Sequence, residues 1–149
     1  MAAPSHPRKA TMVTPPLISV VDDDDAVRES LHGFIRSVGF AAKGFASAEE
    51  FLAWQDRRKT DCLILDLRMP GMNGLELQQE LVATHSAVPV IFITAHGDEE
   101  ARARALGAGA VDFLCKPFSE DALLDAINLA LSSKKQTRMV RPKGKGVLP

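Results

Sequence analysis

Cysteine is scarce in this chain: Cys62 and Cys115 are the two among 149 residues. They lie in different apolar runs with no His or Cys at metal-ligand spacing, so neither a zinc site nor a disulfide framework is indicated. Both read as small, buried apolar residues. Long apolar runs are missing as well, and none approaches the roughly 20 residues that a membrane helix needs. Residues 1–16 carry Pro4, Pro7, Pro15 and Pro16 but no apolar stretch of the kind found in a signal peptide. A cytoplasmic location is therefore expected, without membrane association. No internal repeat is present.

Charge of one sign is missing locally. The chain has 18 Lys/Arg and 19 Asp/Glu, a net charge of −1. Residues 17–131 hold 10 Lys/Arg against 19 Asp/Glu, or −9, whereas residues 132–149 hold six cations and no acid. Such a basic end can bind a polyanion. This one has no aromatic residue for base stacking and no room for a recognition helix. It reads as a solvated, disordered tail, and no specific nucleic-acid binding is expected. A hydrophobic fraction of 46% fits one globular domain, over residues 17–131, after a flexible extension over 1–16.

What is present is a repeated pattern. Short, strongly apolar runs occur at Leu17–Val21, Cys62–Leu65, Val90–Ile93 and Val111–Cys115. Bounded by polar or turn residues, they read as buried parallel strands. A further strand is expected around Phe40 to Phe45. Between them, Val27, Leu31, Phe34, Ile35 and Val38 recur at helical spacing up to Gly39. Ser47-Ala48-Glu49-Glu50 has the form of a capping box, and Gly74 opens a third helix. The stretch from Gly97 to Gly109 is mostly alanine and charge, with Leu106 its only large apolar residue, so that helix should pack weakly. Ser119 can cap a last helix striped by Leu123, Ala126, Ile127, Ala130 and Leu131.

Five such βα units predict an α/β fold, a doubly wound five-stranded parallel sheet with five helices on its two faces. The flavodoxin-like order 2-1-3-4-5, borrowed from known sheets of this kind, puts the switch point between strands 1 and 3. Ligands bind beyond the carboxyl ends of such strands. There the sequence has Asp22 and Asp23, then Asp66, Thr94 and Lys116. Three carboxylates in one crevice call for a hard divalent cation, magnesium or alternatively manganese. Asp24 and Asp25 suit the first turn of a helix better. A carboxylate can attack phosphorus to give an acyl phosphate. Asp66, alone at its strand end, is the candidate nucleophile, with Lys116 and the Thr94 hydroxyl placed to bind phosphoryl oxygens.

The stretches Val21–Asp24, Leu65–Gly74, Ile93–Asp98 and Gly109–Phe113, followed by Lys116-Pro117-Phe118, resemble a response-regulator receiver domain, nearest to receivers of the FixJ type. The resemblance covers about residues 17–131. It implies phosphorylation of Asp66 by a histidine kinase or phosphotransfer protein, and a metal held by Asp22, Asp23, Asp66 and the Arg68 carbonyl. It implies a switch in which Thr94 moves and Phe113 turns inward. It further implies control of the acyl phosphate's lifetime by Arg68, Ala95 and His96, and a cis peptide at Lys116-Pro117. The domain would catalyse only its own phosphorylation and dephosphorylation. It would act on a downstream protein, or on a second copy after phosphorylation, through its fourth helix, fifth strand and fifth helix.

FixJ-type receivers normally precede a helix-turn-helix domain, for which residues 132–149 are too few, so a single-domain regulator is expected. The alternatives are a receiver fragment of a DNA-binding regulator and a phosphate carrier or sink in a phosphorelay. An aspartyl phosphatase would need a second Asp two residues beyond the nucleophile, where Arg68 stands. An inactive receiver would have lost one of these positions.

Overall fold

A computed structural model describes residues 14–95 and 98–147, with side chains described as far as Ser133. Strands β1 (Leu17–Val21), β2 (Ala41–Phe45), β3 (Cys62–Asp66), β4 (Val90–Thr94) and β5 (Asp112–Cys115) alternate with helices. The helices are α1 (Asp25–Ser37), α2 (Ala48–Ala53), α3 (Gly74–Ala83), α4 (Glu99–Gly107) and α5 (Glu120–Val147). All strand pairs are parallel and the order is β2-β1-β3-β4-β5, as predicted. Because side chains alternate along a strand, the sheet feeds two cores. Val21, Leu63, Leu65, Phe92 and Phe113 pack with Phe51 of α2, Leu77 and Leu81 of α3 and Ala101 and Ala105 of α4. Ile18, Val20, Ile64, Ile91 and Ile93 pack with Leu31 and Ile35 of α1 and Leu123, Ala126 and Ile127 of α5. Ser19, the polar residue in the β1 run, is buried against Thr60 through a 2.7 Å hydroxyl–hydroxyl bond, which satisfies both groups.

Local chemistry sets the helix ends. The Asp24 side chain caps α1 by accepting from the Ala26 and Val27 amides, and Asp25 lies in its first turn. Gly39 follows α1 at φ 98°, a conformation that other residues resist. Ser47 caps α2, but Glu50 Oε1 accepts from the Ala46 amide at 3.0 Å, one residue before the partner of a true capping box. The full box lies at α3, where Asn73 and Glu76 bond reciprocally. Asp98 caps α4, and the Ser119 hydroxyl accepts from the Ala122 amide at 3.0 Å.

Three differences from expectation have physical reasons. A short 3-10 turn at Arg57–Lys59 precedes β3; it has no apolar periodicity to announce it. The α5 backbone continues to Val147 instead of ending near Leu131; Lys134, Lys135, Gln136, Arg138 and Met139 favour helix, against Pro142, Gly144 and Gly146 further on. Cys62 is buried as expected, whereas Cys115 is exposed, because it ends an edge strand. No helix among the described residues is long and apolar enough to cross a membrane.

Candidate functional site

The carboxyl ends of β1, β3, β4 and β5 meet where the sheet order reverses. Asp22 follows β1, with its amide donating to Phe45 O of β2 at 3.1 Å. Its carboxylate, fully buried, accepts from the Asp24 amide at 2.9 Å and from Lys116 Nζ at 3.3 Å. Asp66 ends β3 and is 6% exposed. Carboxylate oxygens of Asp22, Asp23 and Asp66 all lie within 4.8 Å of one another, with Asp23 the exposed member. Thr94 is buried at the end of the neighbouring β4. Its carbonyl accepts from the Lys116 amide at 2.7 Å, so the backbone itself ties the hydroxyl-bearing and ammonium-bearing residues together. The Lys116-Pro117 peptide is cis.

Gly74 allows this arrangement. A Cβ there would meet Asp66 O at 2.5 Å, Leu67 Cα at 3.0 Å and Phe92 Cε1 at 3.0 Å. The first turn of α3 therefore sits directly against the β3 end, and the Leu67–Asn73 loop must fold over it. Glu49 of α2 holds that loop from outside, its Oε2 accepting from the Met72 amide at 3.0 Å.

Burial and the Asp22 charge raise the Asp66 carboxyl from 3.8 to about 6. Lys116 and the Arg68 amide pull the other way, and Asp23 adds a smaller upward push. Three carboxylates thus face one ammonium, and the surplus of negative charge is what a bound cation would relieve. Close, hard oxygen donors with one exposed member fit Mg2+ or Mn2+, which keep several waters and take further oxygens from phosphate.

Asp22, Asp23, Asp66, Thr94 and Lys116 lie at this end of the sheet, with Phe113 two residues deeper in β5, and several have unexpected partners. Lys116 pairs with Asp22. The Arg68 side chain reaches away to Asp98 Oδ2 at 3.0 Å, while Asp98 Oδ1 accepts from the Ala101 amide at 3.1 Å. The loop after Asp66 is thereby linked to the start of α4. Phe113 is already inward, buried at 6% and 6.1 Å from Phe92 centre to centre. Room for it comes from the small Ala101 and Ala105, which share its core. Ala95 is exposed at the mouth, and His96 lies outside the described residues. Sequence reasoning missed Arg28, whose Nη1 donates to Asp22 O at 2.6 Å. Its only signal is a position three residues after Asp25 on a helix that starts at the acidic run.

The response regulator receiver domain family matches residues 18–128. The chain is 45% identical over 127 residues to response regulator protein TodT of Pseudomonas putida, covering 85% of this chain and 56% of that one. It is 40% identical over 120 residues to transcriptional regulatory protein FixJ of Bradyrhizobium diazoefficiens, covering 80% and 58%. It thus spans little more than half the length of these curated relatives. Among solved structures, response regulator StyR superposes with a TM-score of 0.79 at 46% identity, over 89% of this chain and 67% of that one. The crystal structure of FixJ-N gives 0.74 at 41%, over 80% and 96%. With the sheet order, the acidic cluster and these similarities in agreement, the chain belongs to the response-regulator receiver domain family of two-component signalling.

Proposed function

We propose that this receiver takes a phosphoryl group onto Asp66 from a histidine kinase or phosphotransfer protein, in a Mg2+-dependent reaction, and signals through the α4–β5–α5 face. The observation that carries this is the mutual approach of Asp22, Asp23 and Asp66 to within 4.8 Å, beside Lys116 at 3.3 Å from Asp22. An Asp66 carboxylate oxygen attacks phosphorus; a P–O bond forms, the P–N bond to the donor histidine breaks, and the imidazole leaves with a proton. Asp22, Asp23, Asp66 and the Arg68 carbonyl would hold the cation, which supplies charge neutralisation at the phosphoryl oxygens. Lys116 exchanges part of its contact with Asp22 for a phosphoryl oxygen, and the Thr94 hydroxyl donates to another. Arg68, Ala95 and His96 set the lifetime of the acyl phosphate, as the likeness to FixJ-type receivers implies.

The phosphoryl group adds about −1.5 to −2 charge. Two charge-assisted bonds contribute roughly 1.5–3 kcal/mol each, against the about 5.5 kcal/mol needed to invert a 1:99 equilibrium. These contacts are of the right size to move Thr94 and, through Arg68 and Asp98, the start of α4. The partners that read this change are a downstream protein or a second phosphorylated copy.

Incubation with acetyl phosphate and Mg2+ tests the reading. Asp66 should be the sole labelled residue, with a hydroxylamine-sensitive product, and Asp23→Ala should abolish labelling without unfolding the chain. Comparable labelling of Asp66→Asn would sink it. A transcriptional output has support in the name of the FixJ relative. The −9 of residues 17–131 should repel DNA, and the six cations of residues 132–149 should bind it at most weakly and only at low salt, so salt-resistant, sequence-specific binding by this chain would overturn a purely protein-directed output.

A further inference from the structure

Arg28, at the close of the first turn of α1, has no part in the chemistry above, yet it touches the backbone that carries the acidic pair. Its Nη1 donates to Asp22 O at 2.6 Å and its Nη2 pairs with Asp25. The side chain is only 20% exposed. Its stem packs over β2 at Gly44, where a Cβ would come 3.4 Å from Arg28 Cδ, an ordinary van der Waals contact. The same Asp22 is held on its amide side by Phe45 O at 3.1 Å and at its carboxylate by the Asp24 amide at 2.9 Å. Arg28 supplies the remaining constraint, on the carbonyl.

That carbonyl belongs to the peptide joining Asp22 to Asp23. A peptide unit is planar, so gripping the oxygen fixes the orientation of the plane whose other end is the Asp23 nitrogen. The direction in which Asp23 leaves the loop is set with it. Asp23 is the exposed member of the acidic cluster and has no core packing to orient it. We propose that Arg28 is a positioning residue for the divalent-cation site, presetting the Asp22–Asp23 peptide so that the Asp23 carboxylate faces Asp22 and Asp66. This rests on the reading of the cluster as a Mg2+ site.

Two effects of Arg28 oppose one another, and their signs separate the proposal from a trivial alternative. As a nearby positive charge, Arg28 repels a metal ion, and its removal would tighten Mg2+ binding. As a positioning group, its removal loosens binding, as loss of outer partners of metal ligands does, by about 10–100-fold.

The test is a Mg2+ titration of the full chain, followed by the amide resonances of Asp23 and Leu67, alongside thermal melts without metal. Arg28→Met keeps a stem over Gly44 while removing donors and charge. Arg28→Lys keeps the charge but cannot span Asp22 O and Asp25 together. Expected is a Kd weaker by about tenfold or more for Arg28→Met and by a smaller factor for Arg28→Lys, with the Asp66 amide environment retained in both. An unchanged or tighter Kd in Arg28→Met overturns the proposal, even if its melting temperature falls. Should Arg28→Met not fold, Arg28→Lys decides: a weaker Kd supports positioning and an unchanged one refutes it. If the wild-type chain itself shows no saturable response, the Mg2+ site falls and this role falls with it.

Discussion

Asp66→Asn should make the metal-free chain more stable, although it removes the residue on which the proposed chemistry depends. Burial and the charge of Asp22 hold the Asp66 carboxyl at about 6, against 3.8 without them. Each unit of such a shift is about 1.4 kcal/mol, so keeping Asp66 ionised in the folded chain costs about 3 kcal/mol at most. The sign follows from proton linkage. Between about pH 4 and 6 the folded chain binds more protons at this carboxyl than the unfolded chain does. Stability from this group is therefore fully present below about 4, falls as pH rises, and is lost above about 6. At pH 7.5 the wild type carries the whole penalty and the amide carries none. With about 2–4 °C per kcal/mol for a chain of this size, the variant should melt up to about 10 °C higher in EDTA. The gain should shrink toward zero as pH is lowered to 4. Mg2+ at about a thousand times Kd should reverse the order, because binding to the wild-type cluster then adds about 4.1 kcal/mol, more than the penalty it offsets. Calorimetric or circular-dichroism melts at several pH values, with and without Mg2+, measure all three. An Asp66→Asn melting temperature at or below wild type at pH 7.5 in EDTA would refute the charge-surplus account of the site.

Other expectations are as direct. Gly74→Ala should lower stability by about 1–3 kcal/mol, read by urea denaturation, and reduce acetyl phosphate labelling, since its Cβ would press on the Asp66 carbonyl at 2.5 Å. Lys116→Met should leave the fully buried Asp22 without its cation. Breaking such a pair costs about 3 kcal/mol, and the loss should be recovered in part when Asp22→Asn is added. Beryllofluoride with Mg2+, a phosphoryl mimic, should shift amide resonances of Ala101–Leu106 and Phe113 as well as the site; shifts confined to the site would remove the α4 route through Arg68 and Asp98.

Much of this protein is legible in one dimension. The apolar runs at Leu17–Val21, Cys62–Asp66 and Val90–Thr94 are buried on both faces. Continuous apolar residues in pieces too short for a helix leave few other ways to fold. Parallel strands force crossover helices, and the crossovers bring every strand's carboxyl end to one side. Asp22, Asp66, Thr94 and Lys116, standing just at those ends, are therefore brought to one side of the sheet. Chain termini of elements follow short-range rules too, as Asp24 and Ser119 show.

What remained closed to sequence is pairing between side chains far apart along the chain. That Lys116 leans on Asp22, 94 positions away, depends on two loops meeting at the switch point. That Arg68 points to Asp98 depends on where α4 begins relative to the β3 loop. The inward seat of Phe113 depends on the alanines of α4 facing β5. The Arg28 grip on Asp22 O depends on the start of α1 packing over β2 at Gly44. Periodicity reports which face of an element is buried because that is a property of one segment in an apolar medium. It carries no information on which polar group meets which across the fold, because those contacts are set by the sheet twist, helix placement and loop paths that only the packed tertiary structure fixes.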